Sequence, residues 1–479
     1  MTRKSNQYYG VKYASGLLLL ITNYALLITF SSCGVSKQIA KQAQQTVLAD
    51  SLLATAHIGI CVYDATDGKY LYNYQGNKYF IPASNTKIAT CYAAMKYLGD
   101  SLVGLRYQRY GDSGIKLIPT GDPTLLHEDF VTQPVFNFLQ RENGHLCLSI
   151  KNWEENPLGA GWSWDDYNDD YMVERSAIPV YGNIVKFHLL KIIDQGAGLW
   201  GMPHYSFQTI PSSFEKNISL SSDDDSLRVT INGTKYTYSP LLFGLKRNMS
   251  DNNFIIIPSL KEFSDITIPF STNDKNLVPT LLEDTLHKQI GTVLPILYSL
   301  VYGPIQIIHS QPTDSLLKIM MHRSDNFYAE QSLLMVGNEH IGVMNDAKII
   351  DTLLTTDYAA MPQRPQWVDG SGLSRYNLFT PQDFVFILNK IRNEFSWNRI
   401  TTIFSTGGDG TLGSYYKGLK GKIFAKTGSL SNNIALSGYL ITQKNKNLIF
   451  SVLVNNHTVS SASVRKAVER FLTAVQRDN

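Results

Sequence analysis

The chain of 479 residues is long enough to bury a large core and to divide into more than one domain. Hydrophobic residues make up 43% of it and charged residues 17%, which excludes a chain that is disordered as a whole. With 43 basic and 40 acidic residues the formal net charge is +3, so the charge balance gives no reason to expect a nucleic-acid partner.

Residues 1–33 have the layout of an export signal. Basic residues are followed by the mostly apolar stretch 16–30, which is short for a membrane span, and then by small residues up to Cys33. The sequence at 30–34 resembles a bacterial lipobox, in which the cysteine becomes the lipidated first residue. Phe30 departs from the usual leucine, which leaves an ordinary signal-peptidase cut open. We expect a protein of a Gram-negative-type periplasm whose only membrane contact is a lipid anchor at Cys33.

The segments around residue 84 predict a hairpin followed by a helix. The segment His57–Tyr63 is typical of a buried strand, and Tyr70–Tyr74 of its return strand. Apolar residues recur at helical spacing from Ile88 to Leu98. Ser84 is therefore predicted at a strand-to-helix transition, where unpaired backbone N–H groups favour negative charge.

The stretch 105–310 is rich in β-favouring residues with Pro, Gly and Asn, which predicts mostly β modules. Helical patterning returns at Ser315–Met321 and Asn326–Met335. Two strands, Ala435–Thr442 and Leu448–Asn455, are predicted before a final amphipathic helix. Strand pairs at both ends with helices between them indicate one α/β unit that is built from both termini and interrupted by the insert.

The cysteines and histidines indicate neither a disulfide framework nor a metal site. Besides Cys33 the chain has Cys61, Cys91 and Cys147, which could form one disulfide at most and which we interpret as buried thiols. The ten histidines include no H-E-x-x-H pattern and no clustered pair. We therefore expect no metal ion and no cofactor.

Three short motifs stand in the order Ser84-Asn85-Thr86-Lys87, Ser324-Asp325-Asn326 and Lys426-Thr427-Gly428. They are the S-x-x-K, S-x-N and K-T-G set of penicillin-binding proteins and serine β-lactamases. On a helix, a spacing of three residues places the lysine of S-x-x-K beside the serine hydroxyl. No His–Asp pair accompanies Ser84, so Lys87 is the available base.

The context of these motifs carries more information than the motifs themselves. The pattern S-x-x-K occurs in at least five places, and a second Ser-Asp-Asn begins at Ser250. Ser324 lies between two predicted helices and Lys426 on a predicted strand, whereas no helix flanks Ser250. We therefore reject the site at Ser250.

The chain resembles the class C low-molecular-mass penicillin-binding proteins, the D-alanyl-D-alanine carboxypeptidase/endopeptidase family. The similarity runs from about residue 50 to the C-terminus and is weakest at about 185–300. Beyond the three motifs it is carried by segments at 82–87, 121–125, 161–166, 369–375 and 409–412 and by Ala329-Glu330 after the Ser-Asp-Asn.

This resemblance implies an α/β (α+β) transpeptidase-like domain with an antiparallel sheet and helices on both faces, formed by residues 34–104 plus 311–479. Residues 105–310 would be the inserted, mostly β domain or domains. The resemblance further implies that peptidoglycan stem peptides and β-lactams are the partners.

The resemblance also assigns roles around the nucleophile. Ser84 would be acylated, and Lys87 would be the general base, with its pKa lowered by burial and by a neighbouring cation, for which Lys426 is the candidate. Ser324 would pass a proton to the leaving amine, and Asn326 would hold the amide carbonyl of the acyl part.

Further roles concern binding of the substrate. Lys426 and Thr427 would bind the terminal carboxylate, Gly428 would leave room for the substrate, and the N–H groups of Ser84 and Ser429 would form the oxyanion hole. Asp166 stands where the family offers a carboxylate to an amine on the third residue of the stem peptide.

Several nearby residues are given structural interpretations. Trp162 and Trp164 are interpreted as packing residues, and the segment 369–375 as a structural turn in which glycines supply unusual backbone angles.

Two other functions stay open at this stage. The first is a β-lactamase or esterase of the same fold, which would differ in how fast the acyl-enzyme is hydrolysed. The second is a catalytically inert lipoprotein that acts as a scaffold for cell-wall enzymes.

Overall fold

The computed structural model describes residues 34–110, 114–192, 204–220, 229–231, 234–236, 243–258, 263–274, 276–292 and 303–479. The predicted export signal and Cys33 lie outside these ranges. Among the described residues, no helix has the length and hydropathy needed to cross a bilayer.

The strands of the described part are numbered along the chain: β1 (His57–Asp64), β2 (Lys69–Tyr74), β3 (Ser101–Tyr110), β4 (Gly114–Ile118), β5 (His145–Leu148), β6 (Ile184–Ile192), β7 (His204–Ile210), β8 (Ile218–Leu220), β9 (Val229–Ile231), β10 (Thr234–Tyr236), β11 (Phe243–Arg247), β12 (Phe254–Pro258), β13 (Asp265–Pro269), β14 (Ile290–Thr292), β15 (Gln306–Pro312), β16 (Ser405–Thr406), β17 (Ile423–Leu430), β18 (Asn433–Ile441) and β19 (Asn447–Asn455). The helices are α1 (34–43), α2 (Lys87–Tyr97), α3 (Pro134–Arg141), α4 (Leu277–Leu286), α5 (Thr313–Arg323), α6 (Asn326–Ile341), α7 (Asp346–Thr355), α8 (Pro381–Glu394), α9 (Trp397–Ile403) and α10 (Ser461–Asp478).

A six-stranded sheet unites the two ends of the chain, in the order β16-β17-β18-β19-β1-β2. All of its neighbouring strands are antiparallel. The first strand lies between the last one and β2, with His57 opposite Asn455. The α/β unit built from both termini, which the sequence predicted, is therefore confirmed.

Helices cover both faces of this sheet. Successive side chains of a strand point to opposite faces. Cys61 on β1 accordingly packs with α2, α5, α6 and α8 on one face, while Ile60 and Val62 pack with α1 and α10 on the other. Burial on both faces explains why β1 and β19 are almost continuously apolar.

The final helix α10 buries the apolar face that the sequence predicted, from Val464 to Val475. Helix α1 lies against it, and Gln42 Nε2 donates to the Ala474 carbonyl oxygen at 3.2 Å and to Asp478 Oδ2 at 2.8 Å. The first and last described helices thus stabilise each other on one face of the sheet.

The insert is mostly β, as predicted. Its sheets have the strand orders β14-β5-β4-β3-β15, β10-β9-β7-β6-β13 and β11-β12-β8, and they share a hydrophobic core of their own with α3 and α4. The proposed boundaries at 104/105 and 310/311 fall within β3 and β15, which are antiparallel partners. The chain thus leaves and re-enters through one pair of neighbouring strands.

The three cysteines in the described ranges are free thiols. Cys61 and Cys91 are buried, as expected. Cys147 is only half-buried, and its Sγ accepts a hydrogen bond from the Tyr110 hydroxyl at 3.0 Å.

We expect Phe471→Ala to lower the free energy of unfolding by about 3–5 kcal/mol, because the side chain is fully buried between α10 and the sheet. Urea unfolding followed by tryptophan fluorescence measures this loss. Lys466→Ala, at an exposed position of the same helix, is the control and should change the value by less than about 0.5 kcal/mol. Equal losses in both variants would contradict the packing of α10.

Candidate active site

Ser84 lies in a tight 3₁₀ turn, Ala83–Thr86, that runs directly into α2. Ala83 adopts a positive φ of 47°, and the Thr86 hydroxyl donates to its carbonyl oxygen at 2.9 Å. Asn85 Nδ2 donates to the Lys426 carbonyl oxygen at 2.9 Å, which ties the turn to β17. The half-buried Ser84 is thereby held against the strand that carries the K-T-G motif.

Lys87, the first residue of α2, is fully buried. Its Nζ donates to three oxygen atoms: Ser84 Oγ at 2.9 Å, Asn326 Oδ1 at 2.6 Å and the Ser371 carbonyl oxygen at 2.8 Å. The structure thus joins the first and second motifs at this amine and adds a third segment that the sequence had not linked to it.

A sharp reversal between α5 and α6 presents the second motif. Ser324 ends α5 in the left-handed conformation with φ 62°, and the Asp325 side chain caps α6 by accepting from the Tyr328 N–H at 2.9 Å. Ser324 Oγ accepts from Lys426 Nζ at 2.8 Å, while Asn326 contacts Lys87. The spacing S-x-N therefore reflects a turn whose middle residue serves as the helix cap.

The third motif lies on β17. Lys426 is buried, and its Nζ also donates to the Thr427 carbonyl oxygen at 2.8 Å. Thr427 is half-buried, whereas Ser429 is exposed and its Oγ accepts from Arg465 at 2.7 Å. The site therefore contains two hydrogen-bonded serine–lysine pairs, Ser84 with Lys87 and Ser324 with Lys426.

Gly428 allows the strand to approach the turn that carries Ser84. A Cβ atom at this position would lie 2.6 Å from the Pro82 carbonyl oxygen and 3.1 Å from the Asn85 nitrogen. The resemblance implied that this glycine makes room for the substrate. The space beside its Cα is instead filled by the protein's own turn, so we correct that interpretation.

Burial governs the basicity of the two lysines. Burial lowers the pKa of Lys87 to about 8, although Asp369, Glu330 and Asp325 favour its charged form. Burial, together with the charge of Lys87, holds the pKa of Lys426 well below its usual value. Burial is thus the main cause of the lowered Lys87 pKa, as expected, and the coupling between the two lysines acts on Lys426.

The segment 369–375 folds around the carboxylate of Asp369. This buried carboxylate accepts from the Gly372 N–H at 2.8 Å, the Ser374 N–H at 2.6 Å and Asn377 Nδ2 at 2.7 Å. Gly372 has φ 82°, and a Cβ there would lie 1.9 Å from the Ala83 carbonyl oxygen. The segment is thus a structural turn, as interpreted, and it additionally supplies the carbonyl that Lys87 contacts.

The insert contacts the site through the stretch that contains Asp166. The Tyr171 carbonyl oxygen accepts from Asn326 Nδ2 at 2.8 Å. Asp166 itself is half-buried in the turn Trp164–Asp166, and burial together with the carboxylates of Asp169 and Asp166 raises the pKa of the Tyr171 hydroxyl. A cavity of about 360 Å³ opens beside Ser324 and Asn326, with Tyr171 in its wall. Asp166 therefore lies near Tyr171, whose carbonyl oxygen contacts the catalytic cluster.

The two tryptophans of this stretch differ. Trp162 Nε1 donates to Asp369 Oδ2 at 3.0 Å, so its packing interpretation holds. Trp164 is 70% exposed, and interpreting it as a packing residue was wrong. The alternative Ser250 lies in an exposed hairpin turn between β11 and β12. In the described ranges, no three His, Cys, Asp or Glu side chains form a group that could hold a metal ion.

This geometry agrees with the comparison to known proteins. The model of the D-Ala-D-Ala carboxypeptidase 3 (S13) family matches residues 40–200 and 300–475, more than half of the chain. The chain belongs to this family. It is accordingly an enzyme of the serine D-Ala-D-Ala carboxypeptidase type, and the resemblance stated from the sequence is confirmed. The unmatched gap falls within the insert, where the similarity was weakest.

Individual relatives agree with the family. The D-alanyl-D-alanine carboxypeptidase DacB of Haemophilus influenzae is 22% identical over 94% of this chain and 93% of its own length. A D-alanyl-D-alanine carboxypeptidase of Actinomadura sp. is 24% identical over 86% and 80%. The crystal structure of penicillin-binding protein 4 from H. influenzae superposes with a TM-score of 0.63 at 18% identity, covering 91% of this chain and 97% of that one. The predicted fold class is confirmed.

We expect Gly428→Ala to slow acylation of the site by roughly 100-fold, because the added methyl group would push β17 away from the Ser84 turn. The rate of labelling by a fluorescent penicillin measures this effect. Gly418→Ala is the control, since a Cβ at Gly418 meets nothing within 4 Å. A Gly428→Ala variant that is labelled as fast as Gly418→Ala would refute the packing role of this glycine.

Proposed function

We propose that this protein is a serine-type D-Ala-D-Ala carboxypeptidase/endopeptidase that acts on peptidoglycan stem peptides through an acyl-enzyme on Ser84. β-Lactams would acylate the same hydroxyl. The observation that carries the proposal is the buried Lys87 amine, which lies 2.9 Å from Ser84 Oγ. A pKa lowered to about 8 leaves part of this lysine uncharged near neutral pH, which a general base requires.

Acylation begins with transfer of the Ser84 proton to Lys87. Ser84 Oγ then bonds to the carbonyl carbon of the penultimate D-Ala, and the developing oxyanion is stabilised by the N–H groups of Ser84 and Ser429. When the peptide C–N bond breaks, Ser324 passes a proton to the leaving amine. The 2.8 Å contact between Lys426 Nζ and Ser324 Oγ supports this role, because it supplies a donor that can restore the Ser324 proton.

Two sets of contacts orient the substrate in this proposal, one to its terminal carboxylate and one to an amide carbonyl. Lys426 and Thr427 bind the terminal carboxylate, and Asn326 donates to the amide carbonyl of the acyl part. Asn326 Nδ2 carries two N–H groups, of which one donates to the Tyr171 carbonyl oxygen, so the other serves the substrate. Water finally hydrolyses the ester on Ser84 and releases the shortened peptide.

Asp166 is proposed to bind an amine on the third residue of the stem peptide, which suggests a diaminopimelate-type substrate. Support comes from the position of Asp166 near Tyr171, whose carbonyl oxygen accepts from Asn326 Nδ2. The cavity of about 360 Å³ that Tyr171, Ser324 and Asn326 line provides space for a residue of that size.

We further propose a periplasmic location with a lipid anchor at Cys33. The described part of helix α1, residues 34–43, packs against α10. A lipid at Cys33 would therefore hold the peptidase domain to the membrane through α1.

Ser84→Ala should abolish covalent labelling by a fluorescent penicillin, because no other acyl acceptor is proposed. Gel fluorescence and intact mass of the soluble fragment report the adduct. Ser250→Ala, from the rejected motif, should be labelled like the wild type. An adduct on Ser84→Ala would contradict the proposal. An unlabelled wild type that destroys penicillin would indicate a β-lactamase, and one that does neither would indicate an inert scaffold.

Asp166→Ala should reduce turnover of a stem peptide with a free amine on its third residue by roughly 10-fold or more, the effect of losing one hydrogen bond between charged groups. Acylation by penicillin, which lacks that amine, should be unchanged. Asp165→Ala is the neighbouring control, since Asp165 is exposed and bonds to Ser163. Equal loss with both substrates would remove Asp166 from substrate recognition.

A further inference from the structure

A buried cluster of charges connects the insert to the helix that follows the Ser-Asp-Asn motif. Arg175, from the insert, is 1% exposed and contacts three carboxylates: Asp346 at 2.7 Å, Glu155 at 3.2 Å and Glu330 at 3.4 Å. Glu330 lies on α6 and is itself 1% exposed. Burying ionised groups away from water costs free energy. Stability alone therefore does not explain an ion pair as deeply buried as that of Arg175 and Glu330.

Glu330 also contacts the segment that holds Lys87. Its Oε1 accepts from the Ser371 N–H at 2.7 Å, and the Ser371 carbonyl oxygen accepts from Lys87 Nζ at 2.8 Å. The neighbouring Gly370 is fixed on both sides: its carbonyl oxygen accepts from Thr90 Oγ1 at 2.6 Å, and a Cβ would lie 2.6 Å from the Ala329 carbonyl oxygen. Ser371 therefore links the Glu330–Arg175 ion pair to the Lys87 amine.

The charges around Lys87 come from every segment packed against it. Asp325 stands at the start of α6, Glu330 lies one turn further on, Asp369 lies in the loop, and Lys426 lies on β17. The three carboxylates favour the charged form of Lys87, whereas the charge of Lys87 lowers the pKa of Lys426.

Glu330 in turn is surrounded by charges of both signs. Burial and the nearby Asp369 raise its pKa to about 8, and Asp346 acts in the same direction. Arg175 and the Ser371 N–H act in the opposite direction and favour the carboxylate. The charges of Glu330 and Lys87 therefore influence each other.

We propose that Glu330 and Arg175 form a positioning pair for the catalytic base. Glu330 orients the Ser371 carbonyl that holds Lys87, and the charge of the pair sets how readily Lys87 accepts the proton of Ser84. The inserted segment would thereby control the base as well as the substrate. This inference rests on the proposed role of Lys87.

Glu330→Gln separates charge from shape. The amide oxygen of glutamine can still accept from the Ser371 N–H, but the negative charge beside Lys87 is gone. Lys87 should then lose its proton at lower pH. The rising limb of the acylation rate against pH should move to lower pH by about 1 unit, the size expected for removing one opposite charge nearby.

The experiment measures second-order rates of labelling of Ser84 by a fluorescent penicillin between about pH 6 and about pH 10, where the drug itself does not titrate. The control is Glu339→Gln on the same helix. Glu339 pairs with Arg106 at 2.8 Å but is partly exposed and lies more than two turns further along α6. Its profile should overlay that of the wild type.

Arg175 provides a second test through Glu330. Arg175→Met removes the cation that favours the Glu330 carboxylate, so Glu330 should be neutralised more readily and the rising limb should move to lower pH, as in Glu330→Gln, while Arg175→Lys should leave it near the wild-type position. If Arg175→Met does not fold, Glu330→Gln alone decides.

The outcomes are distinguishable. A folded Glu330→Gln variant whose midpoint coincides with that of the wild type would overturn the inference, even if its maximal rate were lower, because a merely structural residue changes the rate without moving the pH dependence. A wild type that is not labelled at any pH would instead refute the proposed function.

Discussion

The removal of the Lys87 amine from water is the constraint on which the site depends. A lysine in contact with solvent keeps its proton at neutral pH and is no base. Burial overcomes this only if the amine still finds acceptors, and three segments far apart in the chain each contribute one: Ser84, Asn326 and Ser371. The sheet covered on both faces, the reversal before α6 and the loop at 369–375 together build this closed environment.

The sequence predicted the parts of this site that depend on local spacing. The stacking of Ser84 and Lys87 follows from the helical repeat, and the exposed context of Ser250 was enough to reject it. The contact of Ser371 was missed because it is made by a backbone carbonyl, which no residue type reveals. The function of Gly428 was misassigned because its neighbour, Pro82, comes close only through the pairing of distant segments.

The insert contacts the candidate active site at more than one point. The Tyr171 carbonyl holds the amide of Asn326, and Trp162 bonds to the carboxylate that organises the 369–375 loop. These contacts come from a stretch of chain with little repetitive structure, which explains why periodicity did not predict them. The burial of Trp164 was also predicted wrongly. The hydrophobic character of its side chain indicated burial, but its position on a turn leaves it exposed.

The position of β1 in the central sheet has a consequence for how the chain matures. Its partner β19 is made much later than β1. His57 can pair with Asn455, and α1 can pack against α10, only after the later segment has been synthesised. Contacts between residues so distant in sequence form late, and they make folding slow. The insert has a hydrophobic core of its own and can fold earlier. Lys426 also arrives on a late strand. Ser84 and Lys87 are made early but meet Lys426 only after β17 has been made, so a nascent chain that lacks this strand holds an incomplete site.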